Sequence, residues 1–98
     1  MAVSINTQEL LDRVTAVLPL SDDDLIYKGV AAGLTERIMA LKKAAARLQQ
    51  RYDSVEGLEQ KIQVEGVSPD DHTLYTDLLE WRAISQELSQ LLHIFEAL

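Results

Sequence analysis

The feature that most constrains this chain is one long apolar stripe at helical spacing. No proline occurs between Pro19 and Pro69, and within this stretch apolar residues recur in alternating steps of four and three. Eight consecutive positions follow the pattern: Tyr27, Ala31, Leu34, Ile38, Leu41, Ala45, Leu48 and Tyr52. Such spacing is typical of the buried seam of a coiled coil. The stripe predicts a long helix over residues 22–52.

A second stripe occupies the end of the chain. The stripe follows Ser68 and Pro69. Ser68 can cap a helix, and proline suits the first helical position because an N–H there would have no partner within the helix. Seven positions again step by four and three, and three others form an adjacent line: Leu74, Leu78, Trp81, Ser85, Leu88, Leu92 and Phe95, with Ile84, Leu91 and Leu98. The sequence predicts a helix over residues 69–97, whose apolar face is wider than a two-stranded seam needs.

Capping signals mark a short first helix and the start of the long one. Asn6 can accept a hydrogen bond from the first turn, and Glu9 stands three residues later to reach back. This helix is expected over residues 7–18, because the proline that follows disfavours helical backbone just before it. Ser21 and Asp24 repeat the capping pattern at the start of the long helix.

A short connecting helix is expected between the two stripes. Ser54 is its cap, the helix covers residues 55–65, and Gly66 ends it in a left-handed conformation.

Gly29 and Gly33 would either break the long helix near Gly33 or allow close packing against it. The interpretation favoured here is one unbroken helix that the first helix crosses at these glycines.

These four helices predict an all-α fold in a single domain, residues 1–98. Two long helices joined by a short segment favour an elongated antiparallel hairpin with the first helix packed on it. A helix of about 30 residues is ~45 Å long, whereas a compact chain of this length has a radius of gyration near ~13 Å. We therefore expect one copy to leave apolar surface uncovered, and oligomers, dimeric or larger, to close a helical bundle.

The two stripes also supply the expected partner or oligomer interface. Trp81 is the lone tryptophan and could anchor such a surface. The predicted interface residues are Leu74, Leu78, Trp81, Ile84, Leu88, Leu91, Leu92, Phe95, Leu34, Ile38, Leu41 and Leu48.

Composition excludes several other classes of protein. The 98 residues contain no cysteine, so the chain has no disulfide framework and no thiolate metal site, and a cytoplasmic location is the default expectation. No apolar run approaches the roughly 20 residues that a membrane-spanning helix needs. The two histidines, His72 and His93, stand in no metal-binding pattern, and no catalytic constellation is visible. We therefore expect no metal, no cofactor and no enzymatic activity.

Charge is distributed unevenly along the chain, whose net charge is −7. Residues 1–27 hold five acids and one base, residues 28–52 one acid and six bases, and residues 53–98 ten acids and two bases. The basic middle segment could contact nucleic acid, or it could lie beside acids of the last helix. The second interpretation is favoured, because acids predominate and no aromatic residue is interleaved with the bases. The possible nucleic-acid contacts are Lys42, Lys43, Arg47 and Arg51, and the possible acidic partners are Asp77, Glu80 and Glu87.

Three short motifs in the second part of the chain give it a family resemblance. Arg51-Tyr52 stands at the predicted end of the long helix, Ser-Val-Glu-Gly-Leu follows at residues 54–58, and Glu80-Trp81 lies in the last helix. This arrangement resembles a group of short bacterial antitoxin-like proteins. In that group a long helix ends in an Arg/Lys-Tyr-Gly motif, a Ser-x-Glu-x-Leu turn follows, and a Glu-Trp pair occurs in the last helix.

The resemblance covers residues 34–98 and implies a function. Proteins of this group are paired with a toxin, often an RNase-like enzyme, and neutralise it by direct binding without any catalysis. The chain has Asp53 where the group commonly has glycine, so the turn there is expected to be built differently.

The sequence thus predicts a non-catalytic protein-binding module, antitoxin-like in its most specific form, which masks a basic partner with its acidic last helix. Two alternatives remain open. One is a homo-oligomeric coiled-coil structural protein, and the other is a nucleic-acid-binding protein that uses the basic middle helix.

Overall fold

The computed structural model describes residues 6–66, 68 and 70–98. In this part of the chain every regular element is an α-helix: α1 spans Thr7–Thr15, α2 Asp22–Tyr52, α3 Val55–Glu65 and α4 Thr73–Glu96. The all-helical fold class is therefore confirmed. The chain divides into two compact units, Met1–Gly33 and Leu34–Leu98.

The capping side chains predicted at Asn6 and Ser21 both accept a hydrogen bond, but the return bond expected from Glu9 to Asn6 is not found among the described residues. The Asn6 side chain accepts a hydrogen bond from the Glu9 amide at 2.8 Å and so caps α1. At the start of α2 the Ser21 hydroxyl accepts from the Asp24 amide at 3.1 Å, and the Asp24 carboxylate accepts from the Ser21 amide at 3.4 Å. These reciprocal bonds satisfy amides that the first turn of a helix leaves without partners.

The first helix ends at Thr15, before the expected residue 18. Beyond it the Val17 and Leu18 amides both donate to the Val14 carbonyl, at 3.1 and 2.8 Å. The chain thus closes one last turn before Pro19. A proline disfavours helical backbone in the residue that precedes it, which accounts for the earlier end.

Helix α2 runs without a break through both of its glycines. A Cβ atom placed on Gly29 or Gly33 would have no neighbouring atom within 4 Å. The prediction that the first helix crosses α2 at these glycines is therefore wrong. The space beside them is open, so neither glycine is required there for close packing.

The core of the C-terminal unit is small and is built from three helices. Leu58 of α3 is fully buried, with no exposed surface. Five other buried residues from α2 and α4 pack in one cluster with it: Leu41, Leu48, Leu78, Trp81 and Ile84. Ile38 is also buried. Removing these apolar side chains from water is the main favourable term in folding this unit.

Ion pairs connect the basic part of α2 to the acids of α4. Arg37 Nε lies 2.6 Å from Glu87 Oε2, and Arg51 Nη1 lies 3.0 Å from Asp77 Oδ2. Arg51 lies later in α2 than Arg37 does, whereas its partner Asp77 lies earlier in α4 than Glu87 does. This reversed order is the one expected of antiparallel helices. The interpretation that basic residues of α2 lie beside acids of α4 is confirmed for Asp77 and Glu87. No ion pair is found for Glu80 within the described residues.

The corner between α2 and α3 is a tight turn centred on Asp53. This residue has φ 67°, a left-handed conformation that favours glycine. The Ser54 hydroxyl then caps α3 by accepting a hydrogen bond from the Gly57 amide at 2.9 Å. At the far end Gly66 has φ 74° and ψ −178°. Its φ is positive as expected, but its ψ is extended rather than left-handed helical.

The last helix begins later than the sequence predicts. The expected first residue, Pro69, lies outside the described residues, and α4 starts at Thr73. Ahead of it the Asp71 carboxylate accepts hydrogen bonds from both the amide and the hydroxyl of Thr73, at 2.9 and 2.5 Å. Such local bonds from a side chain to nearby backbone give the chain an alternative to helix. The helix therefore starts only after this turn.

Candidate protein-binding surface

The structure separates the predicted interface residues into two groups. Six of the twelve are buried inside the C-terminal unit, and the other six are at least partly exposed. The buried six are Ile38, Leu41, Leu48, Leu78, Trp81 and Ile84. The remaining six are Leu34, Leu74, Leu88, Leu91, Leu92 and Phe95. Periodicity marks both groups alike, because core and interface occupy the same stripe of a helix.

The apolar face of α4 continues beyond the core. Leu88 and Leu91 pack against the core cluster only in part, Leu92 is half-buried, and Phe95 is 41% exposed. Two further apolar residues of this end, Ile94 and Leu98, are also exposed. These six form what we call the α4 end surface: Leu88, Leu91, Leu92, Ile94, Phe95 and Leu98.

A shallow groove of about 470 Å³ runs beside this surface. All of its lining residues belong to α4: Ser85, Leu88, Ser89, Leu92, His93 and Glu96. Because a single helix supplies the lining, the groove is an open helix face and not an enclosed pocket. Its two leucines can contact apolar side chains, while His93 and Glu96 supply polar groups at the edge. Such a face suits another helix or a protein surface better than a small substrate.

A polar cluster holds the end of α2 against α4. The Tyr52 hydroxyl donates to Asp77 Oδ2 at 2.5 Å, and the Arg51 guanidinium donates to the same oxygen at 3.0 Å. Burial and the hydrogen bond to Asp77 raise the pKa of Tyr52 above its ordinary value. Asp77 is 8% exposed and is a charged residue within the buried part of α4. The cluster gives this carboxylate the hydrogen-bond donors that a buried charge requires.

The motif residues of the antitoxin-like resemblance lie in or beside this cluster. Arg51 and Tyr52 bond to Asp77, and Trp81 is in the core. Glu80 lines a small cleft of about 140 Å³, together with Arg47. Sequence reasoning named Asp77 as a partner for basic residues but missed its bond to Tyr52. The available signal was a carboxylate four residues before Trp81, on the apolar face of the helix.

Three of the four possible nucleic-acid contacts remain available on α2. Lys42, Lys43 and Arg47 are exposed, and none forms an ion pair with a residue that the structure describes. Arg51 instead pairs with Asp77. Met39, on the same stretch of helix, is 65% exposed. Residues 39–47 of α2 therefore present bases around an exposed apolar side chain, and we call them the basic α2 face.

The N-terminal unit has no interior of its own among its described residues. Between Asn6 and Gly33 no residue is buried, and six large apolar side chains are exposed. These are Leu10, Val17, Leu18, Ile26, Tyr27 and Val30. A segment that buries no side chain gains little from the hydrophobic effect. The described part of this unit thus adds apolar surface to which another molecule could bind.

The residues that the structure describes contain neither a cluster of metal-binding side chains nor a helix suited to a membrane. Among them, no group of three or more histidine, cysteine, aspartate or glutamate residues is arranged to hold a metal ion. None of the described helices combines the length and the apolarity needed to cross a membrane. No family model, curated protein or solved structure matches the chain.

Proposed function

We propose that this chain is a non-catalytic protein–protein interaction module that binds and masks a partner protein through the α4 end surface. One observation carries the proposal: the apolar face that forms the core at Leu78, Trp81 and Ile84 continues for three more turns without becoming buried. Contiguous exposed apolar surface of this kind marks binding sites on soluble proteins.

Burial of this surface can supply useful affinity. Full burial of a leucine or phenylalanine side chain contributes about 1.5–3 kcal/mol relative to full exposure. The six residues are already partly covered, so each gains less than this on binding. Because association also costs translational, rotational and side-chain freedom, only part of the gain becomes affinity. Phe95 is the most suitable anchor, since aromatic residues are often the strongest contributors to interfaces.

The charge of the chain favours a basic partner. Residues 53–98, which include α4, carry ten acids against two bases. Of these acids, Glu59, Asp77 and Glu87 are held in ion pairs within the chain. Glu96 borders the groove and is exposed. Complementary charge accelerates association and selects among partners more than it adds affinity. A basic protein with an apolar groove would match both features.

The most specific form of the proposal is an antitoxin-like role, in which the partner is a toxin. The motif residues then have a positioning function, because Arg51 and Tyr52 bond to Asp77 and Trp81 packs in the core. They would hold α4 in place, and the residues beyond them would contact the toxin. Masking of this kind requires complementary shape and charge but no reacting group.

Affinity capture from a native lysate tests the proposal. Wild-type protein should retain a basic protein, and the double variant Leu91→Asp with Phe95→Asp should retain at least about tenfold less of it, because each new charge would be buried unpaired. The control is Gln86→Asp, which adds an acid to an exposed position of α4 outside the surface. Equal retention by the wild type and the double variant would contradict this use of α4.

A second candidate is supported by the basic α2 face, which could contact phosphate groups. Its three bases lack partners in the described structure, although the net charge of −7 repels nucleic acid. Binding to a DNA fragment that weakens steeply as salt increases, and that Lys43→Glu with Arg47→Glu abolishes, would favour this function.

A further inference from the structure

The groove beside the α4 end surface continues the side of α4 on which α3 packs. Arg82 marks that side, because its guanidinium donates to the Glu59 carboxylate of α3 at 2.9 Å. At helical spacing the same side carries residues in alternating steps of four and three: Leu78, Arg82, Ser85, Ser89, Leu92 and Glu96. The last four of these line the groove. The α3 contact and the groove therefore follow one another along a single side of α4.

Helix α3 is too short to cover this side over its whole length. It has 11 residues and α4 has 24, which correspond to lengths of about 16 and 36 Å. The contact of this part of α4 with α2 lies on another side, since Glu87, the partner of Arg37, does not line the groove. All of the lining comes from α4. Beyond Arg82, no other element that the structure describes lines this side.

The groove carries the side chains that packing against a second helix requires. Ser85 and Ser89 are small, and the distance between two packed helices depends on the side chains at their contact. Leu88 and Leu92 beside them offer apolar contact. Glu96 is exposed at the end of α4, where unpaired backbone carbonyls add partial negative charge. It forms no ion pair with a described residue. The groove thus combines room for a helix, an apolar strip and an acidic end.

We infer that an amphipathic helix of the partner protein binds in this groove, with apolar residues at steps of three and four against Leu88 and Leu92 and a basic residue beside Glu96. The inference rests on the proposed function, because it names the element of the partner that binds at the same end of α4. Continuity with the α3 contact supports a helix as the occupant, and the acidic end supports a basic one. The partner helix follows α3 along the same side of α4.

A synthetic peptide tests the inference without the natural partner. The probe is a labelled helical peptide of about 18 residues, long enough to form a helix on binding, with leucines at steps of three and four and lysines elsewhere. A control peptide has the same composition in an order that spreads the leucines around the helix. Fluorescence anisotropy should show at least about tenfold tighter binding of the first peptide, because the charges of the two are equal and only the apolar stripe differs.

Matched variants locate the bound peptide. Ser89→Lys fills the groove with a long charged side chain and should weaken binding of the amphipathic peptide at least about tenfold. Gln90→Lys adds the same charge at an exposed position outside the groove and should weaken it far less. Ser89→Ala keeps the groove open and should bind as the wild type does. Glu96→Lys should also weaken binding, because the acidic end becomes basic. Circular dichroism of each variant checks that helix content is retained.

Failure of this inference is distinguishable from failure of the proposed function. Equal affinity for the two peptides, or equal weakening by Ser89→Lys and Gln90→Lys, would overturn the groove as a helix site. Capture from lysate that depends on Leu91 and Phe95 but not on Ser89 would overturn this inference alone. A groove that binds the amphipathic peptide, while capture is unaffected by Leu91→Asp with Phe95→Asp, would support the helix site and contradict the proposed use of the α4 end surface.

Discussion

The Tyr52 hydroxyl and the Asp77 carboxylate join the end of α2 to α4 through a hydrogen bond of 2.5 Å. Arg51 donates to the same carboxylate oxygen at 3.0 Å. The contact therefore combines a neutral donor with a charged one on a single buried acceptor. It links two residues that are 25 positions apart in the sequence, and its loss should loosen the packing of α2 against α4.

Replacement of Tyr52 by phenylalanine should destabilise the C-terminal unit. The variant removes one donor from a buried carboxylate while keeping the ring, and bonds to charged groups contribute about 1.5–3 kcal/mol. We expect the lower part of this range, because Arg51 remains bonded to Asp77. Urea unfolding followed by the fluorescence of Trp81, the single tryptophan, measures the change. Tyr75→Phe, at an exposed position of α4, is the matched control and should change stability by less than about 0.5 kcal/mol.

Alkaline pH should destabilise the same unit through Tyr52. Its pKa is raised above the ordinary value of 10.0, first by burial and then by the hydrogen bond to Asp77. The folded state thus binds the hydroxyl proton more tightly than the unfolded state does. The resulting stabilisation is complete below pH 10 and is lost as the pH rises through the folded-state pKa. Unfolding midpoints from about pH 9 to pH 11 should fall more steeply for wild type than for Tyr52→Phe; parallel curves would contradict this assignment.

The glycines of α2 and α3 should respond to alanine in opposite directions. A Cβ atom on Gly57 would lie 2.9 Å from the Tyr52 carbonyl oxygen and 3.1 Å from the Ser54 hydroxyl. The clash involves backbone and a capping side chain, so Gly57→Ala should destabilise the protein. Gly29→Ala meets no atom within 4 Å and should stabilise α2 by about 0.5–1 kcal/mol through helix propensity. Thermal unfolding of the two variants compares them, and a stabilised Gly57→Ala would refute the clash.

Glycine should be tolerated at Asp53. The φ of 67° is accessible to glycine without steric cost, whereas a β-branched residue is strained there. Asp53→Gly should therefore match or exceed wild type in stability, and Asp53→Val should lose at least about 1 kcal/mol. The resemblance anticipates a turn of different construction, yet the aspartate adopts the positive φ that favours glycine. Equal stability of the two variants in urea would argue against this geometry.

The capping signals of the sequence were informative where one side chain had one local partner. Ser21 and Asp24 bond to each other's backbone as predicted, and Ser54 bonds to the Gly57 amide. The start of the last helix is less well determined by the sequence, because Asp71 can either stabilise a first helical turn or bond to Thr73 in a tighter turn. The second alternative occurs. An aspartate side chain can form either set of bonds, so the sequence alone does not decide between them.

The sequence predicts the apolar stripe that contains the candidate site, but not which residues of that stripe are buried and which are exposed. Trp81 and Leu88 occupy equivalent positions in the pattern of α4, yet Trp81 is buried and Leu88 is only partly so. The difference arises from which part of α4 faces Leu58 of α3, and helical spacing contains no information about that contact. The bond between Tyr52 and Asp77 was missed for the same reason, because it depends on how two distant segments meet.

No side chain between Asn6 and Gly33 is buried, and this affects how fast the amide protons of the segment exchange with solvent. Short helices without tertiary support open readily in water, so their amide protons exchange early with deuterium. Exchange in this segment should therefore be faster than exchange around the fully buried Leu58. A molecule that binds to residues 6–33 would slow this exchange, because binding to the helical state lowers the population of the open one.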